Sequence, residues 1–443
     1  MSLSMSEFAR RRARLIEQLA PNSIAVVPAA SERTRNRDVL YPFRQDSDFF
    51  YLTGFSEPNA VLVLIPGREH GESVLFCRER DPAKELWDGY LAGPEGAVEQ
   101  YGLNDAFPIA DIDEILPGML EGKDRVYYSM GFDAAFDQRL MEWVNIIRSK
   151  VRSGAHPPGE FVVLEHFLHD MRLIKSAAEI KLMEKAGRIS AEAHCRAMQR
   201  CQPGVTEYQL EAELIHWFME NGARSPAYPS IVGGGANGCV LHYIENSKPL
   251  RDGDLVLIDA GCEYEHYAAD ITRTFPVNGR FSEPQKALYQ VVLEAQAAAI
   301  DAIKPGNHWN HPHEAALQVL VEGLVELGLI TGMTPAEAIE KETYKTFFMH
   351  RTGHWLGMDV HDVGDYKVAG AWRVLEPGMV MTVEPGLYVA PDNTSVAEKW
   401  RGIGIRIEDD VVVTRDGARV LTAAVPKTIA EIESLMAGAR TAA

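Results

Sequence analysis

Two acids carry the first sign of chemistry in this chain. Asp259 ends the apolar run LVLID, and Asp270 follows eleven residues later in AADITRTF. A carboxylate at the end of a buried strand is costly unless a charge compensates it. On what reads as a β-hairpin, the pair suggests a cation held between them, although two surface acids would give the same letters. The stretch PGMVMTVEPGLY favours the cation, because it repeats the first strand. Gly253, Asp259 and Gly261 recur as Gly378, Glu384 and Gly386, all at an offset of 125 residues. Glu408, in GIGIRIEDDVVV, then stands in the place of Asp270 after a longer connection. Self-similarity of this kind is a structural signal. Four uncompensated carboxylates in one cavity would repel by an amount on the order of several kcal/mol. A dinuclear metal site resolves that conflict.

Histidines supply the rest. MHRTGHWLGMDVHDVG places His350, His354 and His361 among Gly353, Gly357 and Gly364, too many glycines for a plain core helix. Imidazole is a good ligand for Mn, Co, Zn or Fe, and one such ring added to four carboxylates makes five protein ligands. HWNHPHE also holds three histidines (His308, His311, His313), but Pro312 marks a helix start there. The three rings cannot share one helical face, and a solvated helix N-terminus is the expectation. GGGANG, Gly233 to Gly238, satisfies the dinucleotide pattern GxGxxG. It needs a helix after it, whereas CVLHY reads as strand, so a Gly-rich turn is expected. His242, in that stretch, stands just before the metal hairpin and within reach of the cavity.

These residues need a scaffold to hold them. With 443 residues, of which 46% are apolar and 24% charged, the chain suffices for two soluble domains. A net charge of −19 argues against nucleic acid as a general partner, and no apolar run is long enough for a membrane span. Five cysteines without CxxC pairing fit a reduced, cytoplasmic protein. Residues from about 20 to 150 alternate strand-like and helix-like pieces (NSIAVVPAA, DFFYLTGF, AVLVLIPG, ESVLFCRER, RVYYSMG), an α/β domain with no complete catalytic set. Its charged, aromatic segment RNRDVLYPFRQDSDFFYLTGF offers Asp38, Arg44 and Asp48 as rim or loop residues. After the turn-rich SGAHPPGE, helical spacing begins at Ser176, with Glu179 and Lys181 on the polar side and Thr206 as an N-cap for the next helix. Helices, hairpin, helices and hairpin then repeat around one core, as a pseudo-two-fold half-barrel. The tail AEIESLMAGARTAA reads as a helix that frays.

The chain resembles the M24 metallopeptidase family, whose catalytic fold is called pita-bread, and within it the aminopeptidase P group. YPFRQDSDFFYLTGF resembles the N-terminal domain of that group. LHY, IDAG, ADITRTFP, HWLGMDVHDVG, TVEPGLY and GIGIRIEDD resemble its catalytic domain. The resemblance implies an α+β architecture with a smaller α/β domain over 1–172 and a pita-bread catalytic domain over 173–443. It implies two Mn²⁺ ions, held by Asp259, Asp270, His354, Glu384 and Glu408, and cleavage of the bond between an N-terminal residue and a following proline. The attacking group would be a hydroxide bridging the metals, with Glu384 moving its proton. His242, His350 and His361 correspond to substrate-facing histidines and Arg406 to the arginine beside the last ligand. Tyr388 is a candidate wall for the proline ring, and Arg373, Trp87 and Asp38 are further substrate-site candidates. Arg351-Thr352 departs from the pattern, since many relatives carry smaller or apolar residues there. The implied partners are peptides with proline second, and a homodimer or homotetramer. A prolidase, recognising the proline carboxylate through Arg373, is the alternative. A methionine aminopeptidase usually lacks so long an N-terminal domain. A binding module that has lost catalysis, or metal-free creatinase-like hydrolysis, would require missing ligands, and all five are here.

Overall fold

SIAVVP, VLVL and SVLFC each become a strand because each is a short, nearly continuous apolar run that the fold buries. They are the strands Ser23–Pro28, Val61–Leu64 and Ser73–Cys77, buried almost throughout. With Asp105–Pro108, Arg125–Tyr127 and Glu160–Val162 they form a six-stranded mixed sheet. Its core joins Ile24, Val26, Val63 and Phe76 to Leu116, Leu120, Trp143 and Ile147 from the helices Ile112–Leu120 and Ala134–Ser149. DFFYLTGF lies in the helix Ser47–Thr53, capped by Asp46 accepting from Phe49 N and stopped by Gly54 at φ 65°. The computed structural model describes residues 2–441, in two compact units, Met1–Met171 and Arg172–Ala443. No helix among the described residues is long and apolar enough to cross a membrane.

The second unit carries the repeat seen in the sequence. One three-stranded antiparallel sheet runs Ile231–Gly234, Leu255–Asp259, Thr272–Pro276; another runs Val380–Val383, Asp409–Val413, Ala418–Val420. Each is served by a helix pair, Ala177–Arg200 with Glu207–Glu220 and Glu283–Asp301 with Asn310–Glu326. The repeated glycines have physical reasons. Gly253 and Gly378 both take positive φ, 86° and 97°, in the turns that feed the strands. A Cβ on Gly261 would stand 1.7 Å from the Ala269 carbonyl oxygen, and one on Gly386 would stand 2.8 Å from that of Ile405. The backbones approach too closely there for any other residue.

Two local expectations change. Glu179 is buried rather than on the polar side: it closes a capping box with Ser176 and accepts from Tyr267 Oη (2.9 Å). CVLHY is not a strand. A five-residue 3-10 turn, Gly235–Cys239, follows the strand, and His242 sits in the next turn. The turn forms because a Cβ on Gly233 would meet the Asn237 backbone at 2.9 Å, a closeness only glycine permits. With no α-helix there, the glycines offer no dinucleotide cradle. The C-terminal helix is Ile429–Thr441, and the end expected to fray lies outside the described residues.

Candidate metal centre and active site

The two sheets bring their acids together through direct cross-links. Glu408 N donates to Thr272 O (3.0 Å), and Thr274 Oγ1 donates to Arg406 O (3.1 Å). Asp270, two residues before one strand, and Glu408, one residue before the other, thereby face a common cavity. One donor atom each from Asp270, His354 and Glu408 lies within 4.8 Å of the other two. Glu384 joins them, with Oε1 3.7 Å from His354 Nε2, and Asp270 Oδ2 lies 3.4 Å from the same nitrogen. Asp259 is tied in by Tyr228, whose hydroxyl lies 2.6 Å from Asp259 Oδ1 and also against Asp270 Oδ1.

The His354 ring is oriented as a ligand. Its Nδ1–H donates to Trp355 O (2.9 Å), which turns Nε2 towards the acids, where a metal would take the place of its proton. Burial disfavours charge on this ring, yet the hydrogen bond to Asp270 and the charge of Glu384 push it up to about 9. Burial also raises Glu384, to about 7, with Asp270 and Asp259 adding to the effect against His354 and Arg406. Glu408 is driven well above the usual carboxylate range by burial and by Asp270, Glu384 and Asp259. Burial raises Asp259 as well, opposed by Arg406. Asp270 alone is drawn down, because its contacts with His354 outweigh burial. Four carboxylates therefore share one permanent cation, Arg406, and the site attracts positive charge. An oxygen-rich donor set with one imidazole suits hard or borderline divalent ions, so these residues fit a metal.

Arg406 anchors a second chain of contacts. Nη2 donates to Asp259 Oδ2 (2.6 Å), Nε to Thr272 Oγ1 (3.0 Å) and Nη1 to Tyr388 Oη (3.0 Å). Tyr388 Oη in turn donates to His350 Nε2 (2.8 Å), whose Nδ1–H donates to Arg351 O (2.7 Å). This pattern fixes His350 as neutral, in line with burial and the Arg406 charge pushing it down to about 3. Thr272 Oγ1 donates to Glu408 Oε2 (2.6 Å). His361 stands edge-on to His354, ring centroids 4.3 Å apart. His242 is exposed, and His361 is lowered first by burial and then by the charge of His354.

Sequence reasoning passed over three supports. Tyr228 and Thr272 hold carboxylates, and Asp362 holds the loop that carries His361. Asp362 is buried between Lys175 Nζ (2.8 Å) and Arg172 Nη2 (2.6 Å), and its backbone N–H closes the loop onto Trp355 O (2.9 Å). A Cβ on Gly357 would collide with Asp362 Oδ2 at 2.1 Å, which accounts for one of the glycines in that motif. Lys175 and Arg172 keep Asp362 below the usual carboxylate range although burial works the other way. The folded protein therefore binds fewer protons here than the unfolded chain. The contribution is complete above the unfolded value of about 3.9 and is lost as pH falls through the lower folded value. Asp362→Asn should lower the melting temperature at pH 7 and at pH 5 by a similar amount. The gap should close towards pH 3; a gap that stays constant across that range would contradict this.

The remaining candidates are dispersed. Arg373 is half-buried, its backbone N donating to Tyr366 O and its O accepting from Trp309 N (both 2.9 Å). Asp38 and Trp87 belong to the N-terminal unit. Both are exposed, one between the short strands Thr34–Asn36 and Val39–Leu40, the other in the helix Pro82–Asp88. Arg44 turns inward to Gln45 O and Ser47 Oγ, and Asp48 meets His169 at 3.3 Å. HWNHPHE is not simply solvated: His308 and His311 stack at 3.5 Å, and His313 Nδ1 lies 2.8 Å from Thr352 Oγ1. Burial pushes His313 down to about 4. The reason is the packing of Arg351-Thr352 against this helix start.

The sequence matches the description "Metallopeptidase family M24" over residues 181–415, which spans every ligand candidate named above. The chain belongs to metallopeptidase family M24. Residues 8–127 match "Aminopeptidase P, N-terminal domain". Among M24 relatives, the Xaa-Pro aminopeptidase of Escherichia coli (strain K12) is 48% identical over 439 residues, 99% of both chains. The solved aminopeptidase PepP of Pseudomonas aeruginosa is 64% identical, with a TM-score of 0.98 covering 99% of both chains. A Zn-substituted E. coli aminopeptidase P in complex with product is 48% identical. Its TM-score is 0.96, covering 99% of this chain and 100% of that one. The fold is thus the M24 pita-bread domain preceded by the N-terminal domain of aminopeptidase P, and the cluster of Asp270, His354 and Glu408 is that of a metallopeptidase.

Proposed function

We propose that this protein is an Xaa-Pro aminopeptidase, releasing the first residue of peptides whose second residue is proline. The observation that carries the reading is the convergence of Asp259, Asp270, His354, Glu384 and Glu408 on one buried cavity. These five residues would hold two divalent cations, Mn²⁺ being favoured by the hardness of four carboxylates. Bound there, such ions supply Lewis-acid activation of water and polarisation of the scissile carbonyl.

The chain's own groups do the rest. Glu384, raised by burial, would accept a proton from attacking water and pass it to the departing prolyl nitrogen. The imidazoles His242 and His361 donate hydrogen bonds towards the developing oxyanion. A free α-amino group is drawn to the acidic side of the cavity at Asp259, which makes the enzyme an exopeptidase. His350, His361 and Tyr388 wall the proline ring. Arg406, committed to Asp259, Thr272 and Tyr388, acts as a positioning residue rather than a proton carrier. Cytoplasmic residence, for which five cysteines without a disulfide speak, and a homodimeric or homotetrameric state belong to the same proposal.

The test compares Ala-Pro-Ala-Ala, its N-acetylated form and the dipeptide Ala-Pro, each with Mn²⁺. Release of alanine from the tetrapeptide at least as fast as from the dipeptide, with none from the acetylated peptide, is the expected result. Cleavage confined to the dipeptide would make the protein a prolidase instead.

A further inference from the structure

A tryptophan beside the cleft carries two cations. Lys367 Nζ lies 4.2 Å, and the Arg351 guanidinium 5.3 Å, from the centroid of the Trp372 ring. The arrangement is built into the backbone. Lys367 and Trp372 are directly opposed across the two-stranded ladder Lys367–Val368 with Ala371–Trp372. Its turn, Ala369-Gly370, has positive φ at both positions (51° and 84°), the geometry that two-residue hairpins favour. Cross-strand neighbours of this kind are in contact. The hairpin base is pinned to the helix start that follows Asn307, through Trp309 N to Arg373 O and Leu375 N to Asn307 O. Trp309 packs on Trp355 (4.1 Å) and Tyr366 (4.6 Å), so an aromatic floor runs from the hairpin to the residue after His354. Arg351 enters from the other side, as the residue after His350.

The charge here is unbalanced. In a chain of net charge −19, neither Arg351 nor Lys367 forms an ion pair among the described residues. Arg351 Nη2 donates to Asn310 Oδ1, and the nearby Glu314 is engaged by Asn310 Nδ2 (2.6 Å). Two exposed like charges held over one ring are a poor arrangement for stability alone. The indole face offsets part of their repulsion; an anion between them would offset more.

We propose that Arg351 and Lys367, held over Trp372, form a carboxylate-binding subsite for the part of the peptide that follows the proline. This rests on the Xaa-Pro aminopeptidase reading. The amine end of the substrate belongs at Asp259, and the proline ring belongs at His350, His361 and Tyr388. Arg351 directly follows His350, its Cα about 3.8 Å away, so in this reading the two cations lie beside the proline pocket and are assigned to the residues after the proline. The shared chemistry is a carboxylate, from the C-terminus of a short peptide or from an acidic side chain of a longer one.

Four peptides distinguish the sources: Ala-Pro-Ala, Ala-Pro-Ala-amide, Ala-Pro-Glu-amide and Ala-Pro-Gln-amide, measured with the Mn²⁺-loaded full-length protein. The wild type should favour a carboxylate about tenfold in kcat/KM, mainly through KM, and the preference should shrink in high salt. Acid over amide alone would assign the C-terminal carboxylate, and Glu over Gln alone the side chain. In the double variant Arg351→Ala, Lys367→Ala both ratios should fall to about one. Both residues are exposed, so the fold should survive. Cleavage without preference in the wild type, or a preference the double variant keeps, would overturn the subsite alone. No alanine released from any of the four would overturn the peptidase reading and the subsite with it.

Discussion

Glu384→Gln is expected to lower kcat about a hundred- to ten-thousand-fold, the range that a positioned general base contributes, with the fold intact. In the metal-free site burial and the charges of Asp270 and Asp259 push Glu384 up to about 7, so its carboxylate holds a proton more readily than an exposed glutamate. Glutamine keeps the shape and loses that capacity. Because Glu384 also faces the Nε2 of His354, metal content must be measured on the same sample. A variant that binds metal and turns over within tenfold of the wild type would show that proton transfer lies elsewhere. The KM for Ala-Pro-Ala-Ala should change far less than kcat, since the residue acts on the water rather than on the peptide.

Arg273→Leu is expected to cost about 3–5 kcal/mol of stability, the range for breaking a buried ion pair by removing one partner, with Lys427 left as the one cation on Asp409. Arg273 is fully buried between the two sheets. Its guanidinium donates to Asp409 Oδ1 (2.7 Å), to Thr272 O (2.9 Å) and to Glu408 O (2.5 Å). Lys427 Nζ meets the other Asp409 oxygen at 2.8 Å. Arg273, in the strand that follows Asp270, therefore holds the Glu408 carbonyl and the Asp409 carboxylate directly after it. Thermal unfolding should fall by several degrees, and metal affinity should fall with it because the two acids lose their common frame. Arg273→Lys should recover only part of the loss, as a single ammonium cannot serve these acceptors from one plane. If Arg273→Leu melts with the wild type, the two hairpins are joined by something other than this residue.

How far the letters alone reach can be seen at particular residues. The repeat was legible because it rests on constraints that leave few alternatives: an acid ending a buried strand, and glycines where φ is positive or the backbones nearly touch. Gly253 with Gly378 and Gly261 with Gly386 hold these roles in pairs. The helix after Ser176 was legible from its spacing, and the next from Thr206 at its start. CVLHY misled because β-branched and aromatic residues favour strands only where a neighbouring strand exists; here the Gly233 contact bends the chain into a 3-10 turn. Glu179 misled because helical spacing does not reveal that Tyr267 would reach it from 88 residues away. Tyr228, Arg273 and Asp362 escaped notice for the same reason. Their partners are distant in sequence, and a lone tyrosine, arginine or aspartate signals nothing until the fold supplies the other half.

The central claim is that four acids and His354 form a metal centre that drives peptide cleavage. The most direct test strips the protein with a chelator, titrates Mn²⁺ back, and follows metal content together with alanine release from Ala-Pro-Ala-Ala. Activity absent from the stripped protein and returning in step with filling, to two ions per chain, is the predicted result. Full turnover by protein in which elemental analysis finds no metal, or two ions bound with no turnover, would contradict it.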